Sequence, residues 1–143
     1  MGAEAWSLMV EILRFLADHC GYLFESGRFR FVDSRSSASN GGSAVALLES
    51  STLRIRLTWG RSELLMEFQP INGKPSEWFS LGLLRGALLG DRGGSEILDA
   101  EWATFLGQSL NDLERRLADP DTAADLVHEL QRQARLRAKA LFG

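Results

Sequence analysis

The sequence predicts an α+β domain: an N-terminal helix, a four- or five-stranded antiparallel meander sheet, and three C-terminal helices packed on one sheet face. Three observations carry this reading. Residues 53–69 hold two runs that alternate apolar and polar side chains, the period of a strand buried on one side. Residues 4–20 place Trp6, Met9, Val10, Leu13, Leu16, Ala17 and Cys20 at steps of three and four, an amphipathic helix. Beyond residue 80, apolar stripes recur behind capping residues and ahead of stops.

Taken in order, the first helix is expected to stop at Gly21 in a left-handed C′ position. Phe29 and Phe31 alternate with Arg28 and Arg30, giving a strand over 28–33, and the Ser/Gly-rich segment 34–43 reads as a loop. A second strand spans 44–49. A two-residue turn at Ser50-Ser51 would set Leu48 opposite Leu53 and Ala46 opposite Ile55. A turn at Gly60-Arg61 would set Leu57 opposite Leu64, Ile55 opposite Met66 and Leu53 opposite Phe68. Pro70 ends the fourth strand, and residues 77–80 form either a short fifth strand or the approach to a helix. Ser80 caps and Gly90 stops a helix over 81–89. Asp99 caps the next, with Trp102, Phe105, Leu106, Leu110, Leu113 and Leu117 as its stripe. Asp119 and Pro120 open the last, whose inner face is Ala123, Leu126, Val127, Leu130, Ala134 and Leu141.

The whole chain narrows the function classes. Its 143 residues suit one domain that buries about two-thirds of its unfolded surface. A net charge of −3 gives no global attraction to nucleic acid or an anionic membrane. The single Cys20 excludes an internal disulfide and a cysteine zinc site, which fits a reducing, cytoplasmic setting. No run reaches the ~20 apolar residues of a membrane span. The N-terminus lacks a basic leader region, and Trp6 stands where myristoylation wants Ser or Thr.

Catalytic and cofactor readings find little support. His19 and Cys20 are neighbours in sequence at a helix end, so their side chains diverge, and neither they nor His128 lie in a metal-ligand spacing. The 34–43 loop lacks the lysine of a phosphate-binding loop, and a strand follows it rather than a helix. The carboxylate pairs Glu63/Glu67, Asp91/Glu96 and Asp119/Asp121 show no apolar surroundings that would raise a pKa, and Glu63 and Glu67 share a strand face with Arg54 and Arg56. Four cations in the last helix lack aromatic interleaving, so they read as a basic helix end. The reading is therefore non-enzymatic, with no catalytic residue, metal or cofactor.

The outer sheet face stands apart. It collects Val45, Leu47 and Leu65 among Arg54, Arg56, Glu63 and Glu67, with Arg54 expected opposite Glu67 and with Gln69, Arg28 and Arg30 extending it. An apolar centre with a charged rim is the anatomy of a protein interface. Arg35, from the adjoining loop, joins it as a candidate contact.

The segments FESGRFRFVDS, GGSAVALLESSTLRIRL, LMEFQP and EWFSLGLLRGALLG, with a helical tail ending RAKALFG, are together similar to small bacterial α+β proteins of the toxin-immunity type. That resemblance covers size, element order and general pattern, and implies stoichiometric binding of another protein, a toxin, without catalysis. The expected function is thus a cytoplasmic protein-binding domain. A second reading is a ligand-binding or enzymatic pocket between the sheet and the late helices, near Trp59, Trp78 and Trp102. A third is a homodimer through the outer face.

Overall fold

The computed structural model describes the backbone of residues 3–37, 42–91 and 93–142, and side chains from Leu8 onward. The elements are α1 (Ala3–His19), β1 (Arg30–Ser37), β2 (Ser43–Glu49), β3 (Leu53–Gly60), β4 (Glu63–Pro70), β5 (Phe79–Ser80), α2 (Leu81–Leu89), α3 (Ala100–Ala118) and α4 (Pro120–Phe142). The five strands form one antiparallel sheet in sequence order, so the α+β meander is as expected and residues 79–80 are its fifth strand.

Alternation does the sorting. Ala44, Ala46, Leu48, Leu53, Ile55, Leu57, Leu64, Met66 and Phe68 all point to one face and are buried. They meet Ile12 and Leu16 of α1, Leu106, Leu110 and Leu113 of α3, and Leu84 of α2 in one core. α1 lies across β1, β2 and β3, while α4 packs on α2 and α3. A side chain of Leu size fully buried in such a core contributes roughly 1.5–3 kcal/mol, so this face dominates the stability of the sheet.

The caps behave as the sequence implies. Ser80 Oγ accepts the Leu83 N–H, Gly90 takes φ 76°, and Asp99 Oδ1 accepts the Trp102 N–H. Asp119 Oδ1 accepts the Asp121 N–H at the start of α4. Within α4, Leu126 and Leu130 are buried and Val127 and Ala134 pack against the core, but Leu141 is exposed. The packed stripe thus ends at Ala134, about two turns before Leu141. Gln133, next to Ala134, is also buried and donates to Glu129 at 3.1 Å.

Both hairpin registers differ from expectation by two residues. Leu48 faces Ile55 and Ala46 faces Leu57, because the turn moves on by one residue to Ser51-Thr52: Ser50 donates its N–H to the Leu53 carbonyl, and its Oγ accepts the N–H of Thr52 and of Leu53. Leu57 faces Met66, Ile55 faces Phe68 and Trp59 faces Leu64, because the second turn is Arg61-Ser62. Both turn residues take positive φ, 54° and 62°, the conformation that matches strand twist. A shift of two keeps every side chain on its face, whereas a shift of one would invert the sheet.

Three further expectations change. Gly21 does not take a left-handed conformation; Cys20 (φ −125°, ψ 32°) breaks α1, and a 3-10 segment, Gly21–Gly27, kinks at Glu25 and Ser26 before the chain enters β1. β1 runs from residue 30 to 37 rather than 28 to 33, and β2 starts at 43, so five of the six described residues of the expected 34–43 loop are strand. A bulge between Phe31 and Asp33 resets its alternation. Residues 38–41 of that loop, the Trp6 side chain and Arg92 lie outside the described residues.

The revised turn is testable. Ser62→Gly relieves a left-handed conformation and is expected to raise the free energy of unfolding by about 0.5–1 kcal/mol in urea denaturation. Were the turn Gly60-Arg61, Ser62 would be an extended strand residue, and the same substitution would lower stability by about as much.

Candidate functional site

The outer face of the sheet is organised in rows. At one end Arg30, Glu49, Arg54 and Gln69 lie side by side across four strands. Next come Asp33, Leu47, Arg56, Glu67 and Ser80, and then Arg35, Val45, Thr58 and Leu65. Ser37, Ser43, Gly60 and Glu63 close the far end. All eight residues singled out from the sequence, Arg35, Val45, Leu47, Arg54, Arg56, Glu63, Leu65 and Glu67, therefore share this face. Leu65 is 39% exposed, while Val45 and Leu47 are half-buried between their neighbours.

Each arginine in these rows is paired with a carboxylate. Arg56 meets Glu67 at 2.5 Å, and Arg54 meets Glu49 at 2.8 Å and the Gln69 amide oxygen at 3.3 Å. Arg35 meets Asp33 at 2.9 Å, and Arg30 reaches Glu49 at 3.8 Å. The expected Arg54–Glu67 pair is replaced by Arg56–Glu67, a direct consequence of the two-residue register shift. These are partly solvated pairs, each contributing ~0.2–1 kcal/mol. Their larger consequence is that the face carries both signs with little net field. Arginines already engaged by carboxylates offer a poor phosphate track.

Arg28 leaves this face. It precedes β1 and turns to α3, where it meets Glu114 at 3.2 Å and the Asn111 side-chain oxygen. Glu114 also accepts from Ser50 Oγ at 3.0 Å and Thr52 Oγ1 at 2.9 Å, clasping the β2–β3 turn to α3.

Two residues shape the face in ways that periodicity did not reveal. Gln69 reads as an exposed strand residue, yet it is only 2% exposed. Its amide lies against the carbonyls of Pro75 and Glu77 at 3.1 Å each and of Lys74 at 3.4 Å, which folds the 71–78 segment onto the sheet margin. Trp78 then lies over the Arg56 guanidinium, 4.3 Å from the ring centre, a cation–π contact that holds the arginine flat. No local sequence pattern signals either contact, since both depend on where a turn folds back.

The three tryptophans do not line one pocket. Trp78 is on the outer face. Trp102 packs edge-on against Phe105 and donates from Nε1 to the Ser95 carbonyl at 2.8 Å. Trp59 borders a cavity of about 310 Å³ shared with Arg14, Phe15 and His19 of α1 rather than with the late helices.

Other candidate chemistry resolves into structural roles. Cys20 is fully buried, and burial pushes its thiol from 9.0 up to about 11. The Tyr22 hydroxyl gives its proton to the Ala103 carbonyl at 2.6 Å, so its 3.9 Å approach to the Cys20 sulfur does not activate the thiol. His19 is exposed and packs on the Phe15 ring. Asp91 pairs with Arg85, and Glu96 holds both Arg137, at 2.8 Å, and Ser80 Oγ. In the basic last helix Arg132 pairs with Glu129. Among the described residues no group of three or more His, Cys, Asp or Glu could hold a metal ion, and no helix is long and apolar enough to cross a membrane.

Comparison with protein-family models, curated proteins and solved structures finds no match.

The buried thiol makes a pH prediction. The folded chain keeps the Cys20 proton up to about pH 11, whereas the unfolded chain releases it near 9.0, so unfolding is increasingly favoured across that window. Wild-type stability should therefore fall by up to about 2–3 kcal/mol more than that of Cys20→Ala between those pH values, measured by urea denaturation. Parallel profiles for the two proteins would show that the thiol is not buried.

Proposed function

We propose that this chain is a non-enzymatic protein-binding domain that works by stoichiometric capture of another protein, with the outer sheet face as its contact surface. The single observation that carries the reading is the asymmetry of the sheet. One face is sealed by helices, while the other presents Val45, Leu47 and Leu65 within a frame of mutually paired charges. Such pairs let a partner cover Arg30, Arg35, Arg54 and Arg56 without stranding an unpaired guanidinium. Rigid strands also hold the contact residues in place before binding, which lowers the ordering cost of association. The similarity in size and element order to toxin-immunity proteins extends the proposal: the partner is a toxin, neutralised by occlusion in the cytoplasm.

A growth assay tests this. Genes adjacent to the one encoding this chain are expressed singly in a host cell, with and without the chain. The expected result is that one neighbour arrests growth and the wild-type chain restores it. A Val45→Thr/Leu65→Glu variant, whose fold is checked by circular dichroism, should fail to restore it. The apolar centre of an interface commonly supplies 2 kcal/mol or more of binding, about a thirtyfold loss when removed. Rescue by both proteins would refute the proposed surface, and a neighbourhood without a toxic product would refute the immunity role.

A further inference from the structure

Among the described residues, the strand order leaves β1 with a single ladder partner, β2. At the opposite margin β5 is two residues long and runs directly into α2. β1 is eight residues long, and its side chains from Arg30 to Arg35 are exposed. A long exposed edge offers backbone donors and acceptors to another extended chain.

The phase of the ladder shows which groups face outward. Gly60 and Glu63 close a two-residue turn, and the closing pair of such a hairpin is hydrogen-bonded. Bonding alternates along a strand, so even-numbered residues of β3 bond to β4 and odd-numbered ones to β2. The bond from Ser50 N–H to the Leu53 carbonyl, 2.9 Å, agrees with that phase. One strand further, odd-numbered residues of β2 bond to β1 through Asp33 and Arg35, their register partners. The main-chain N–H and C=O of Ser34 therefore point away from the sheet.

Around Ser34 the strand is self-complementary in charge. Asp33 and Arg35 flank it on the outer face. An antiparallel copy centred on Ser34 sets Asp33 of each chain opposite Arg35 of the other. Each carboxylate would then have its own Arg35, now 2.9 Å away, and a second across the joint. Phe31 and Val32, 45% and 41% exposed, lie at the ends of the same segment and would be covered with it.

We propose that the protein self-associates through β1, two copies joining their sheets edge to edge about a two-fold axis at Ser34. The result is an isologous joint and a ten-stranded sheet with both outer faces on one side. A single strand pair covers less than the ~1,200 Å² of a standard stable interface, so the dimer is weak and depends on concentration. Unlike a dimer through the outer face, this one leaves Leu65 open.

Sedimentation of the full chain from about 1 μM to about 1 mM tests this, a range that spans weak interfaces. The expected result is a reversible dimer. Asp33→Arg or Arg35→Asp alone should weaken it about tenfold or more, because each sets like charges opposite one another twice. The double reversal Asp33→Arg/Arg35→Asp restores the opposition and should return affinity to within about threefold of wild type. Exchange of the Ser34 amide should slow as wild-type concentration rises, a readout that stands even if a variant misfolds. A wild-type monomer throughout, single reversals without effect, or Ser34 exchange independent of concentration would each overturn the proposal.

Discussion

Burial of one sheet face organises this molecule. Nine alternating side chains from β2, β3 and β4 meet the helices, and each strand must therefore present its intervening residues to the other side. Because the side-chain period is two, pairing can slip by an even number without disturbing this division. An odd slip would bury Arg54, Arg56, Glu63 and Glu67, at a desolvation cost no surface pair could offset. The polar strand residues thus specify the fold by exclusion, as firmly as the apolar ones do by attraction.

The second consequence lies in the outer face itself. Strand pairing brings each arginine there beside a carboxylate, and Trp78 lays a ring over Arg56. Gln69 ties the segment that carries Trp78 to the sheet margin. The face is consequently preorganised and nearly neutral in its local charge, with aliphatic side chains at its centre. These properties support the proposed recognition of a shaped protein surface.

Much of this was legible in the sequence because it depends on local periodicity and capping. The Ser80, Asp99 and Asp119 caps, the Gly90 stop and the inner and outer assignments of β2–β4 follow from residues within a few positions of one another. The registers did not follow, since the Ser50 side chain holds a turn displaced by one residue to Ser51-Thr52, and Arg61-Ser62 adopts a left-handed turn without the usual Asn-Gly. The extent of β1 was hidden because Ser34, Ser36 and Ser37 carry no apolar signal and lie opposite Ala46, Ala44 and Ser43 only through the register of β1 on β2. At the candidate site, the seven strand residues were found by alternation and Arg35 as a loop neighbour, whereas the burial of Gln69 and the place of Trp78 depend on a chain reversal that periodicity does not encode.

The claim that one sheet face is sealed and the other open is tested most directly by carbene footprinting of the isolated chain, read residue by residue across β2, β3 and β4. Leu65 should be labelled strongly and Val45 and Leu47 measurably, while the flanking Leu64 and Met66 and the facing Ile55 and Leu57 remain unlabelled. Protection of Leu65 equal to that of Leu64 and Met66, in protein dilute enough to be monomeric, would contradict the account.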